Sequence, residues 1–330
     1  MTQVPWRRSI KQHRGEAIAS LMIRLAPKGL LTPFEFLKYH FRRDGRLSPT
    51  DIATDLEALR TLAFIGSFDV ELLYAATWKV VGTMTEFLGR RLPAGWFKPG
   101  VRRLAPGVMR SDDDPWIRND WQIRGLPCDC DTGELIAERC ANCYEALTWT
   151  RIHDVYSCGT CGYDQRLAKS RYVAPDTLVR SRALRDYLQG AGTDLPTELA
   201  ALEDHEFLSL ICWLPYFVAI PDRVRVRPSP HEAVTGFGLI KQWPRCFEAT
   251  LDALLLGYSP PYLVKHAVNP QVLEEALVAL GRVGSKPAQA ILEARMLTRL
   301  GLSGLGDSRF VKPVAKFNRR RTFARAATIW

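Results

Sequence analysis

The sequence predicts a mainly α-helical protein with one small β module set into its middle. Three observations predict it. Apolar residues recur at helical spacing over much of the chain, proline-marked helix starts punctuate it, and six of its eight cysteines crowd between Cys128 and Cys161. The implied organisation is a helical N-terminal domain over residues 1–104, a cysteine-bearing domain over 105–172 and a helical C-terminal domain over 173–330. At 330 residues, 47% hydrophobic and 24% charged, the chain has material for more than one packed core.

The elements follow in order. Ala17, Ile18, Leu21, Met22 and Leu25 form the stripe of an amphipathic helix, which Pro27 and Gly29 stop. Thr32-Pro33-Phe34-Glu35 supplies an N-cap threonine, a proline at the first helical position and the glutamate of a capping box. Ser48-Pro49-Thr50-Asp51 repeats the device, and Ser259-Pro260 and Asn269-Pro270 carry the same punctuation late in the chain. Two short helices are expected between Asp51 and Lys79. Leu56, Leu59, Leu62 and Ala63 face inward on the first, Gly66 takes a positive-φ turn, and Ser67 or Asp69 caps the second, which carries Val70, Leu72, Leu73 and Ala76. The pattern fits a helix-turn-helix, and it fits an ordinary helical hairpin too. Residues 89–110, rich in Gly, Pro and Arg, read as an irregular basic connector, and residues 189–197 as a linker.

The cysteines are spaced C-x-C-x9-C-x2-C-x14-C-x2-C from Cys128 to Cys161. Two C-x2-C pairs 14 residues apart match the spacing of four-thiolate zinc sites, because each pair occupies a tight turn that turns two sulfurs toward one point. Cys140, Cys143, Cys158 and Cys161 are therefore the expected ligands of one structural zinc ion. Four thiolates leave no coordination position open for catalysis. The strand-like stretch 147–157 between the pairs is consistent with the hairpin of a zinc ribbon. Cys128, Cys130 and His153 remain as substitutes for a ligand, and Cys212 and Cys246, in apolar surroundings, as core thiols.

The formal charge is +10, a sign that favours polyanions such as nucleic acid. Arg102 and Arg103 in the connector, and Lys316, Arg319, Arg320, Arg321 and Arg325 in an acid-free tail interleaved with Phe317, Phe323 and Trp330, are candidate DNA contacts. A frayed, solvated terminus explains the tail as well. No apolar run approaches the roughly 20 residues of a bilayer span, and no hydrophobic leader follows the basic N-terminus, so a cytoplasmic protein is expected. Catalytic patterns are weak. Asp112-Asp113-Asp114 suggests a Mg²⁺-dependent nuclease only as an alternative, and His231-Glu232 lacks the second histidine of a zinc hydrolase. No phosphate-binding loop, nucleophile elbow or deaminase signature occurs, and a non-enzyme is expected.

With these pieces in place, the chain resembles the TniQ family of transposon target-selection proteins. The likeness runs through GEAIASLMIRLAPKGLLTPFEFL, then PWIRNDWQIRGLPCDCDTGELIAERCANCYEAL, and more faintly GFGLIKQWPRCFEATLDALL. The family's pattern also carries an earlier C-P-x-C pair and a C-x-x-H that together bind a first zinc. The corresponding positions are similar to Ala105-Pro106-Gly107-Val108 and Cys128-Asp129-Cys130-Asp131. The resemblance thus implies that the first site is lost, with Ala105, Val108 and Asp131 replacing ligands and only Cys128 kept. It further implies a non-catalytic adaptor. Such a protein selects a DNA site or docks on an RNA-guided Cascade complex, recruits an AAA+ regulator, and has a homodimer as one possible assembly. A zinc-containing transcription regulator acting alone is the rival within binding proteins.

Overall fold

The structure is a computed structural model. It describes residues 10–41, 49–93, 95–192, 194–219, 228–257, 278–283 and 285–299. The chain forms two compact units, Met1–Asp194 with Pro230–Gly238, and Leu195–Ser229 with Leu239–Trp330. The division falls in the expected 189–197 linker. The expected boundaries after residues 104 and 172 both lie inside the first unit. About half of the structure is helical, with one small antiparallel sheet.

In the first unit, helix α1 (Ile18–Leu25) is buried on every side rather than along one stripe, Ser20, Ile23 and Arg24 included. A helix buried all round needs partners for its polar residues. Glu16, Ser20 and Arg24 supply them, one turn apart: the Arg24 guanidinium meets both Glu16 oxygens at 2.7 Å, and the Ser20 hydroxyl donates to Glu16 at 2.9 Å. Ser20 also accepts the Ile117 amide at 3.0 Å, so the network ties α1 to the segment leading into the cysteines. Burial lifts the Glu16 carboxyl to about 6 against the pull of Arg24.

Helix α2 (Pro33–Phe41) begins with the expected capping box: Glu35 accepts from the Thr32 amide at 2.8 Å and donates its own amide to the Thr32 hydroxyl at 3.2 Å. Helix α3 (Pro49–Ile52) follows; its expected cap Ser48 lies outside the described residues, as do Ser259-Pro260 and Asn269-Pro270. Helices α4 (Leu56–Gly66) and α5 (Val70–Ala75) form the expected hairpin, with Asp55 and Asp69 as caps. Two details differ from expectation. Leu56 is exposed, because the inward face starts at Ala58 and Leu59. The left-handed residue is Ser67, at φ 56°, not Gly66. Gly66 is needed for space instead, since a Cβ there would lie 2.1 Å from the Phe68 ring.

Three short strands absent from the sequence reading come next: β1 (Trp78–Val81), β2 (Met84–Phe87) and β3 (Arg90–Leu92), paired in antiparallel order β1-β2-β3. The connector expected over 89–110 accordingly holds β3 and helix α6 (Pro106–Ser111), with proline at the first turn. Conversely, no strand forms over residues 147–157. Leu147, Trp149, Ile152 and Val155 are all buried, yet the backbone bends between them and Arg151 takes a left-handed φ of 57°. The expected ribbon is replaced by knuckles closed through isolated bridges. Helix α7 (Pro175–Leu188) packs onto the turn at residues 130–133, where Arg182 donates to the carbonyls of Cys130 and Asp131 at 2.7 and 2.8 Å.

The second unit is helical: α8 (Thr197–Ala200), α9 (Asp204–Val218), most of α10 (Ala233–Ile240) being in the first unit, α11 (Arg245–Gly257) and α12 (Lys286–Arg299). Trp213, Phe217 and Phe247 stack in succession at 4.9 Å and centre its core. Cys212 is buried as expected, while Cys246 is only half-buried. Among the described residues no helix is long and apolar enough to cross a membrane.

Candidate metal centre

Both cysteine pairs sit on the same backbone turn. In the first knuckle the Cys140 amide donates to Glu145 O at 2.8 Å and the Tyr144 amide to Cys140 O at 3.0 Å. In the second the Cys158 amide donates to Tyr163 O at 2.9 Å and the Gly162 amide to Cys158 O at 2.9 Å. The bridges Arg139–Ala146 and Ser157–Asp164 close the two turns. In each knuckle the amide two residues on, of Asn142 or Thr160, lies 3.4 Å from the first sulfur. The residue after the second cysteine is left-handed in both, Tyr144 at φ 61° and Gly162 at φ 72°. Glycine adopts that conformation freely, whereas a residue with a Cβ loses about 1–2 kcal/mol there.

The knuckles bring four sulfurs together. Cys140 Sγ is 3.7 Å from Cys161 Sγ, Cys143 Sγ is 3.7 Å from Cys158 Sγ, and all four atoms lie within 4.8 Å of one another. These separations exclude a disulfide, whose sulfurs stand about 2.05 Å apart. They fit a metal instead: thiolates about 2.3 Å from a tetrahedral Zn²⁺ are roughly 3.8 Å from each other. The donor set is all sulfur, which suits zinc and excludes a hard, oxygen-seeking cation. Among the described residues it is the one cluster of three or more metal-ligating groups.

Hydrogen bonds to the sulfurs complete the site. Gln165, 1% exposed, donates to Cys140 Sγ at 3.2 Å and to Tyr163 O at 3.0 Å, and accepts the Ala141 amide at 3.1 Å. One side chain therefore joins both knuckles. Asn142 reaches Cys161 Sγ at 3.7 Å. Donors from the Tyr163 amide and Asn142 pull the Cys161 thiol below the ordinary thiol range, while Cys143 in the same cluster is raised. Neither Gln165 nor Asn142 was singled out from the sequence, because no spacing rule marks a side chain that serves a ligand rather than being one.

Cys140 and Cys158 belong to one core with Ala17, Ala19 and Ile23 of the α1 region, Trp121, Leu147 and Trp149, while Cys143 is half-buried and Cys161 exposed. Arg102 and Arg103 are the surprise. Expected at a nucleic-acid surface, they are 0% and 2% exposed. Arg102 donates to the Asp154 and Ser157 carbonyls and so pins the segment between the knuckles. Arg103 donates to the carbonyls of Trp121, Ile123 and Leu126 and pairs with Glu138 at 3.0 Å. Burial pushes both guanidinium groups down to about 10. Guanidinium groups buried to this degree cannot meet a phosphate from solvent, so the expected role is withdrawn. Lys316, Arg319, Arg320, Arg321 and Arg325 lie outside the described residues.

Ala105, Val108 and Asp131, the residues expected to have replaced ligands of a first zinc site, are otherwise engaged. Ala105 is fully buried and Val108 packs against the same core. The amides of Gly107 and Val108, at the start of α6, donate to the buried Glu134 carboxylate at 2.7 and 2.8 Å. Asp131 pairs with Arg118 and, at 2.8 Å, with Arg185. Cys128 and Cys130 are both buried, and His153 is exposed outside the cluster. Asp114 of the acidic run is held by Arg24, and Asp112 accepts the Asp114 amide at 3.1 Å. In comparisons with known proteins, no family model and no characterised protein matches this chain.

Proposed function

We propose that the protein is a non-catalytic, nucleic-acid-binding adaptor organised by one structural zinc ion at Cys140, Cys143, Cys158 and Cys161. The observation that carries the reading is charge on the metal-bearing segment. Over residues 134–172 the exposed charged side chains are Arg139, Arg151, Lys169 and Arg171 against Glu145 alone, and among the described residues none of these cations forms an ion pair. The acids of that segment are turned to internal work: Glu138 on Arg103 and Arg124, Asp164 on Arg166, Glu134 on α6. A surplus of unpaired cations on a rigid, metal-ordered scaffold attracts a polyanion.

The specific version of this role is target selection in transposition, as the resemblance to TniQ proteins suggests, with an AAA+ regulator as partner and a DNA site or a Cascade complex as target. Four thiolates saturate a tetrahedral ion, which supports a structural metal rather than a hydrolytic one. The α5 helix, the second of the hairpin, carries Glu71 and no Lys or Arg, so it offers no cation to a DNA groove.

Fluorescence anisotropy against duplex DNA over a salt series tests the reading. The expected result is binding that weakens steeply with salt, with a shallower slope when Arg139, Arg151, Lys169 and Arg171 are all changed to Gln. Salt-independent binding, or no binding to either duplex or single-stranded DNA, would overturn it. Plasmid cleavage in Mg²⁺ that Asp113→Ala abolishes would favour the nuclease alternative.

A further inference from the structure

The two knuckles share hydrogen bonds, sulfur contacts and the left-handed residue after the second cysteine, yet they fill that last position differently. The second uses Gly162, and the space around it is open. The first uses Tyr144, whose side chain is 73% exposed and has no ring or hydrogen-bond partner among the described residues. A bulky residue held in a glycine conformation, with no internal contact in return, points to an external one. Beside it stands Arg139, exposed, with one guanidinium nitrogen on Tyr144 O at 3.0 Å and the rest of its fork unpaired among the described residues. An exposed ring next to an unpaired guanidinium, on a segment with surplus positive charge, has the chemistry of a base-stacking platform with a phosphate contact.

We propose that Tyr144 and Arg139 bind an unpaired base of a single-stranded DNA segment, the ring stacking on the base and the guanidinium meeting a flanking phosphate. The inference rests on the nucleic-acid-binding reading and adds to it the form of nucleic acid and the contact. The left-handed backbone stands at the tip of the knuckle and the turn beneath fixes it, so on binding only the two side-chain torsions of Tyr144 have to be ordered. A base inside an intact duplex has no free face for this ring.

The test compares the full zinc-loaded chain with Tyr144→Gly, Tyr144→Phe and Arg139→Gln, by anisotropy with an oligothymidylate of about 20 nucleotides and with a duplex of the same length. Tyr144→Gly is expected to weaken single-strand binding at least about fivefold, with zinc content and melting temperature no lower than wild type. Tyr144→Phe retains the affinity, and Arg139→Gln lowers the salt slope by about 0.7. Duplex affinity of Tyr144→Gly stays within about twofold of wild type. Unchanged single-strand binding in Tyr144→Gly, or an equal loss on duplex, overturns the inference; the former is also the outcome expected if the ring anchors a protein. Wild-type protein that binds duplex but not single strand overturns the inference alone, and wild type that binds neither overturns the adaptor reading as well.

Discussion

The first knuckle, residues 140–144, and the second, residues 158–162, make one turn from two sequences, and their differences separate what the turn requires from what the chain adds. Both need amides aimed at the first sulfur and a left-handed residue after the second cysteine. In each pair the first cysteine is buried in the core and the second stands nearer the surface. Only the first knuckle has its leading sulfur served by a buried amide side chain, Gln165, and only the first carries an aromatic residue where glycine would cost nothing. Coordination and backbone geometry are thus common to both. Second-layer support and exposure of a ring are particular to one.

Substitutions break or sharpen that comparison. The largest effect is expected from the buried ligands: Cys140→Ser or Cys158→Ser should release the metal and remove the folding free energy it brings, of order 10 kcal/mol, leaving the region around Trp121 and Trp149 unfolded by near-ultraviolet circular dichroism. Next comes Gln165→Ala, which leaves Cys140 and the Ala141 amide without their partner. A competition titration with a chromogenic chelator should show zinc held about 10–100-fold more weakly. The second knuckle has no equivalent, so Thr160→Ala should change zinc affinity far less. Gly162→Tyr should then cost about 0.5–1 kcal/mol in denaturant unfolding, the left-handed strain that Tyr144 already bears less the unfolded-state freedom that glycine gives up. The smallest effect is the reverse exchange: Tyr144→Gly should stabilise the fold by about 0.5–1 kcal/mol, and a loss of stability would show that the ring packs internally.

The burial of Glu16 gives a pH signature apart from the knuckles. Its carboxyl is raised to about 6 from an ordinary 4.5, so the native state binds this proton more tightly than the unfolded chain does. Its contribution to stability is present below pH ~4.5 and is lost as the pH rises to about 6, a change of roughly 2 kcal/mol. Metal binding runs the other way, since thiolates must lose protons to bind. Measured in the absence of metal, Glu16→Gln should flatten the acid limb of the stability profile between these values.

The sequence made the cysteine cluster legible because a C-x2-C turn is local: two residues of separation suffice to set both sulfurs on one knuckle, whatever the rest of the fold does. The capping box at Thr32 and Glu35 and the Asp69 cap were readable for the same reason. Long-range surroundings were not. Nothing in the string VRRLAP states that the carbonyls of Trp121, Ile123 and Leu126 will enclose Arg103, and an exposed basic connector is the natural reading until they do. The three-stranded sheet escaped because its strands are only three or four residues long. The ribbon was over-read because Leu147 and Trp149 alternate as in a strand, while Arg151 turns the chain left-handed before the pattern can continue. The network of Glu16, Ser20 and Arg24 is not legible in the sequence, since amphipathicity assigns those residues to solvent.

Elemental analysis of the purified, untagged chain before and after exhaustive chelation, with circular dichroism followed in parallel, addresses the central claim most directly. The account predicts one zinc per chain, and removal of that zinc should collapse the tertiary signal of the tryptophans around the knuckles. A chain that carries no metal and keeps the full signal, or one that holds its fold unchanged after the zinc is gone, would contradict it.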